Sequence, residues 1–167
     1  MPVGVQSFEA MRLGNFVYVD KTQYIRDLVR GKVYFLSRPR RFGKSLFLST
    51  LGAYFEGQKE LFKGLFLEHG EPELAAAQGR EAWQKHPVLY LDLNTEEYKN
   101  ASQLESILET NIVKWERLYG RDEADITHSA RFGGIIRRAY EQTGQQVVLL
   151  VDEYDKPLLQ AVDKPEL

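Results

Sequence analysis

An apolar run, Val33-Tyr34-Phe35-Leu36, gives way to Arg38-Pro39-Arg40-Arg41-Phe42-Gly43-Lys44-Ser45, and an apolar, helix-prone segment continues from Leu46 to Phe55. Strand, tight loop ending Gly-Lys-Ser, then helix is the setting a phosphate-binding loop requires. A helix N-terminus offers unpaired backbone N–H groups at the positive end of its dipole, and loop amides add a concave nest for an anion. Lys44 would supply a point charge to the outer phosphates and the Ser45 hydroxyl would ligate Mg²⁺. Gly43 would let the backbone come close with no Cβ in the way. On this reading Arg38, Pro39, Arg40, Arg41, Phe42, Gly43, Lys44, Ser45 and Leu46 form one nucleotide-binding segment.

The motif departs from its full form at one position. G-x-x-x-x-G-K-[ST] places a glycine six residues before the lysine, where this chain has Arg38. An arginine there is strained if the position needs positive φ; otherwise the loop takes another path, entered through the stiff Pro39. Taken alone, Gly-Lys-Ser also reads as an ordinary helix start with a serine near its cap.

A second element supports the phosphate reading. Gln146-Val147-Val148-Leu149-Leu150-Val151-Asp152-Glu153 is an apolar run ending in two acids, bounded by Gly144 and Pro157. Such a run predicts a strand buried on both faces, as in a parallel sheet. Acids at the C-terminal end of such a strand sit where open α/β sheets bind ligands. Asp152 would hold Mg²⁺, directly or through water, and Glu153 would polarise the attacking water as the catalytic carboxylate beside Lys44. The bland alternative is a strand that ends in polar residues and turns.

The residues Phe35-Leu36-Ser37-Arg38-Pro39-Arg40-Arg41-Phe42-Gly43-Lys44-Ser45-Leu46, Tyr18-Val19-Asp20-Lys21-Thr22 and Val151-Asp152-Glu153-Tyr154-Asp155-Lys156-Pro157 together resemble the predicted AAA-ATPase-like family of bacterial proteins. Arg131-Phe132-Gly133-Gly134-Ile135-Ile136 resembles it too, so the likeness covers nearly the whole chain. An arginine-rich loop without the first glycine is usual in that family. Longer members carry a C-terminal nuclease-like domain that has no counterpart here. The resemblance implies ATP binding and hydrolysis, with ATP and Mg²⁺ as cofactors, and leaves the substrate and cellular role open.

At 167 residues the chain suits one domain, 1–167, with a sizeable core. A net charge of −2 gives no general attraction to nucleic acid or anionic membrane, so nucleic-acid binding rests only on the three loop arginines and is weakly supported. Zero cysteines exclude disulfides and thiolate metal sites and fit a reducing cytosol. Residues 1–16 lack a signal-peptide core and no run reaches the length of a membrane span, so a cytoplasmic location without membrane contact is expected. His69, His86 and His128 are scattered and read as loop or surface residues.

Along the chain, Asn15 to Asp20 predicts a short strand or extended arm, with Tyr18 either stacking on adenine or belonging to an arm that packs over the sheet edge. Asp20 and Gln23 look like a capping pair for a helix ending near Gly31. A strand at Val33 to Leu36 and a helix from Lys44 to Phe55, closed by Gly57, come next. Helical pieces follow at Lys59 to Phe66 and Glu71 to Gln84, the second broken or loosened at Gly79, and a strand at Val88 to Leu93. A helix from Ala101 to Tyr119 has its stripe at Leu104, Ile107, Leu108, Ile112, Trp115 and Leu118, ended by Gly120. A last helix, Ser129 to Gln142, precedes the acidic strand. The fold class expected is α/β, a three-layer α/β/α P-loop NTPase sheet of mainly parallel strands.

The Asp152-Glu153 pair resembles the P-loop group that inserts a further strand between the loop strand and the acidic strand, encoded after the latter. Only 14 residues follow Glu153, interrupted by Pro157 and Pro165, too few for a crossover and another parallel strand. A sheet incomplete at its C-terminus is therefore expected, with lower stability and weak or absent hydrolysis compared with a longer chain. A kinase-like order, pairing the loop strand directly with the acidic strand, needs no such addition. Three functions follow: an ATPase domain, a non-hydrolysing nucleotide-dependent switch or interaction module, and the ATPase part of a nuclease system.

Overall fold

The computed structural model describes residues 5–29, 31, 33–37, 42–94 and 101–157. They divide into two compact units, Met1–His86 and Pro87–Leu167.

The first unit is helical among its described residues. Ser7 caps α1 (Phe8–Leu13), its hydroxyl accepting from the Ala10 amide at 3.2 Å. A 3₁₀ turn, Thr22–Tyr24, leads into α2 (Ile25–Leu28). Helix α3 (Lys44–Phe55) has the expected bounds, lying between Gly43 and Gly57, which both adopt positive φ. After a 3₁₀ turn at Lys59–Phe62, α4 (Phe66–Gln78) runs to Gly79, whose left-handed backbone closes it.

Several local expectations are corrected here. Asp20 does not start a long helix with Gln23. Its Oδ1 accepts from the Thr22 amide and hydroxyl at 2.8 and 2.7 Å, and its Oδ2 accepts from the Phe66 amide at 2.7 Å. The buried Thr22 hydroxyl oxygen accepts from the Leu67 amide at 3.3 Å. Asp20 and Thr22 thus cap α4 from more than forty residues away, which moves that helix's start to Phe66. At Gly79 the helix is broken, the first of the two outcomes expected there, and it does not resume before Gln84. Val33–Leu36 forms no strand: the described sheet has two strands, both elsewhere, and Val33 and Phe35 are 90% and 73% exposed. A strand is defined by its ladder, and apolar composition alone does not make one.

The unit's core is aromatic. Phe8 and Phe62, both fully buried, stack at 5.0 Å between centroids, and Phe62 meets Trp83 at 5.0 Å. Tyr18 sits edge-on to Phe8 at 5.1 Å with its hydroxyl 3.3 Å from Thr50 Oγ1, so it packs on helices of its own unit and not on a sheet edge. Beside this cluster lies a fully buried carboxylate, Glu71. It accepts from the Tyr54 hydroxyl at 2.7 Å, from Arg80 Nη1 at 2.7 Å and Nη2 at 3.2 Å, and from the Trp83 amide at 3.1 Å. Burial, and then the Glu71 charge, push the Tyr54 phenol well above its ordinary value, so it remains a donor.

The second unit holds the sheet. β1 (Val88–Asp92) pairs in parallel with β2 (Val148–Asp152), with Leu89 opposite Leu149 and Asp92 opposite Asp152. Parallel strands need a crossover, here α5 (Ala101–Tyr119) and α6 (His128–Thr143). Thr127 caps α6 through the Ala130 amide. The architecture is α/β with a small parallel sheet and many helices. Leu89, Ile112, Trp115 and Ile135 form the core, with Leu91 and Val147 against it. Leu118 is 62% exposed and Tyr119 takes the inner position expected of it. β2 is not buried on both faces, since Leu149 is 44% exposed. None of the described helices is long and apolar enough to cross a membrane.

An ion pair locks the two crossover helices. Arg131 donates from Nε and Nη2 to the two oxygens of Glu116, both at 2.8 Å, and from Nη1 to Glu109 at 2.6 Å. Contacts step forward together, from Glu109 with His128 to Tyr119 with Gln142, so the helices run in the same sense. The loop between them returns along their length, and its Asp125 accepts from Arg138 at 2.9 Å. Gly134 makes room for it: a Cβ there would lie 2.1 Å from the Asp125 carboxylate.

Two outcomes are expected. Replacing Glu71 by Ala strands Arg80 and Tyr54 and should cost about 3 kcal/mol in a urea melt, the cost typical of breaking a buried pair; an unchanged midpoint would contradict the role given to Glu71. The Arg131 bonds hold Glu116 below its ordinary value of 4.5. The folded state therefore binds fewer protons than the unfolded one. The stabilisation is complete above pH 4.5 and is lost as pH falls through the lowered value. Melts from pH 6 to pH 3 should show this decline in the wild type and a shallower one in Arg131→Met.

Candidate functional site

Each half of the expected site is built by one end of a regular element. Gly43 adopts φ 74 and ψ 32, the left-handed region that favours glycine, and stands at the N-cap of α3. Among the described residues nothing lies within 4 Å of where its Cβ would be. Lys44, Ser45 and Leu46 occupy the first turn, all half-buried, and that turn carries no acidic residue. The first helical bond runs from the Phe47 amide to the Gly43 carbonyl at 3.0 Å. Phe42 is 61% exposed. Arg38, Pro39, Arg40 and Arg41 lie outside the described residues.

The acids sit at the C-terminal end of β2. Asp152 is buried, at 7% exposure. Its Oδ1 accepts from the Glu153 amide at 2.9 Å and its Oδ2 from the Tyr90 hydroxyl at 3.3 Å. Glu153 follows with φ 53, a left-handed conformation uncommon for a residue with a Cβ, and is half-buried. The Leu93 amide donates to the Asp152 carbonyl at 3.1 Å, extending the pairing past β1. Lys156 Nζ donates to Asn94 Oδ1 at 2.6 Å, and Asn94 donates its amide to Asp92 Oδ1 at 2.8 Å. Burial first, and then the Asp152 and Asp92 charges, raise the Tyr90 phenol above its ordinary value and keep it protonated.

The structure therefore groups Gly43, Lys44, Ser45 and Leu46 at one helix start, and Asp152 and Glu153 at one strand end. The two groups belong to different units. Tyr90 and Asn94 carry no motif signal in the sequence, and Lys156 stands there only as part of the segment Val151 to Pro157. Alternate positions on a short strand, Tyr90 and Asp92, carry polar tips, but only the register with β2 shows what they face. Among the described residues there is no cluster of three or more His, Cys, Asp or Glu side chains able to hold a metal by itself.

The donor chemistry fits a nucleotide and a hard cation. A glycine-started helix with a lysine and no acid in its first turn suits an anion. A carboxylate that accepts one hydrogen bond on each oxygen keeps a lone pair on each for a cation or its water.

Comparison with known proteins bears on the same segments. A family model described as "Predicted AAA-ATPase" matches residues 2–167. An "Uncharacterized protein in vnfD 5'region" from Azotobacter chroococcum mcd 1 is 40% identical over 172 residues, covering 100% of this chain and 31% of that protein. The chain thus spans about a third of the length of the curated relative it matches. No solved structure matches. With the family model matching from residue 2 to residue 167, the chain belongs to the AAA-ATPase-like family, the predicted AAA-ATPases.

Proposed function

We propose that this chain is an ATP- and Mg²⁺-binding P-loop domain whose reaction, where it turns over, is hydrolysis of the terminal phosphate. The observation that carries the reading is the start of α3. A left-handed glycine precedes Lys44 and Ser45, in a first turn with no acidic side chain. The family to which the chain belongs supports the same reading.

In this reading the first-turn amides and the Lys44 ammonium bind the outer phosphates. Ser45 at the start of α3 and Asp152 at the end of β2 are the candidate cation ligands, and Arg38, Pro39, Arg40, Arg41, Phe42, Gly43 and Leu46 are the other candidate nucleotide-binding residues. Mg²⁺, when bound, neutralises charge that develops on the phosphate oxygens. Glu153 orients a water and accepts its proton, and its left-handed backbone sets the direction of that carboxylate. The three-layer parallel sheet expected of a P-loop fold remains part of the proposal.

Calorimetric titration of ATP and GTP, with and without Mg²⁺, tests it. Lys44→Ala should weaken ATP binding by roughly 10- to 100-fold, the loss of one or two charge-assisted bonds. If Lys44→Ala binds ATP as tightly as the wild type, the assignment is wrong. Glu153→Gln should keep nucleotide affinity and lose whatever turnover the wild type has. Binding without turnover, in this chain and in a longer one alike, would favour a nucleotide-dependent switch instead.

A further inference from the structure

We propose that Tyr90 is a positioning residue, whose hydroxyl holds the Asp152 carboxylate in the orientation that serves the Mg²⁺–nucleotide complex. This rests on the nucleotide-binding reading above and goes beyond it by naming a residue outside the loop and the acidic pair.

The register of the sheet makes the contact possible. Tyr90 lies opposite Leu150 and Asp92 opposite Asp152, so in parallel pairing Tyr90 and Asp152 project from the same face, one pleat apart along the strands. A tyrosine is long enough to span that diagonal, and its hydroxyl reaches Asp152 Oδ2 at 3.3 Å. The other oxygen, Oδ1, is held at 2.9 Å by the Glu153 amide. One donor on each oxygen, one from β1 and one from the residue that follows β2, stops the carboxylate from turning about its last torsion. The strand end that carries it is tied to β1 twice more, through the Leu93 amide and through Lys156 with Asn94.

The arrangement separates the phenol's two contributions. Tyr90 is half-buried, and a phenylalanine keeps its ring. The hydroxyl has Asp152 as its partner, so its removal frees the carboxylate and little else. Partners that orient a ligating carboxylate typically change metal affinity by about 10- to 100-fold when lost. At 3.3 Å this contact is longer than the usual range of an O–H···O bond, which puts the expected effect at the lower figure.

The test is ATP binding to the full chain by calorimetry across a Mg²⁺ series and in EDTA, for the wild type, Tyr90→Phe, Asp152→Asn and the double variant, with thermal melts alongside. Tyr90→Phe should raise the half-saturating Mg²⁺ by about tenfold, leave the EDTA affinity unchanged, and add nothing in the Asp152→Asn background. An unchanged Mg²⁺ midpoint, or an equal shift with and without the Asp152 carboxylate, overturns the proposal. So does a Tyr90→Phe chain that fails to fold, because the hydroxyl would then be structural. A wild type that binds no nucleotide defeats the underlying reading, a result visible before any variant is compared.

Discussion

Two strands that run in the same direction cannot be joined by a turn, and the second unit is organised by that constraint. β1 and β2 pair in parallel, so the chain between them must travel the length of the sheet and come back. Helices α5 and α6 make the journey. Because they run in the same sense, the loop that joins them must make a return journey of its own. Each step is held by a charged contact: Arg131 on Glu116 and Glu109 between the helices, and Asp125 on Arg138 where the loop lies back. The segment Arg131-Phe132-Gly133-Gly134-Ile135-Ile136 gains a physical account from this. Arg131 anchors the helix pair, Gly134 admits the loop carboxylate, and Ile135 fills the core.

The same constraint reaches the acidic turn. Asp152 is the last residue of β2, and the register set by the crossover decides which β1 residue it faces. A slip of one position would turn Tyr90 to the opposite face and leave the carboxylate to the Glu153 amide alone. The first unit solves a different problem. It encloses a carboxylate, Glu71, among aromatic rings and meets it with four donated bonds. A buried acid is tolerated only when its lone pairs are satisfied in this way.

How much of this the sequence discloses depends on how local the cause is. Helix α3 and α5 have the expected bounds because their signals lie within them or next to them: Gly43 and Gly57 around one, an apolar stripe and Gly120 for the other. The start of α4 was not legible, since its caps, Asp20 and Thr22, come from a distant stretch that itself looks like a helix start. Val33–Leu36 reads as a strand on composition, yet strand is a property of pairs, and the described sheet pairs β1 with β2. Lys44, Ser45, Asp152 and Glu153 stand out as a motif. Tyr90 does not, because its meaning lies in a neighbour sixty residues away.

The borrowed cap on α4 ties two segments into one dynamic unit. With Asp20 and Thr22 accepting from the Phe66 and Leu67 amides, the extended arm cannot lift away while those protons stay shielded from solvent. Hydrogen exchange at these two amides therefore reports the detachment of a stretch that carries neither of them.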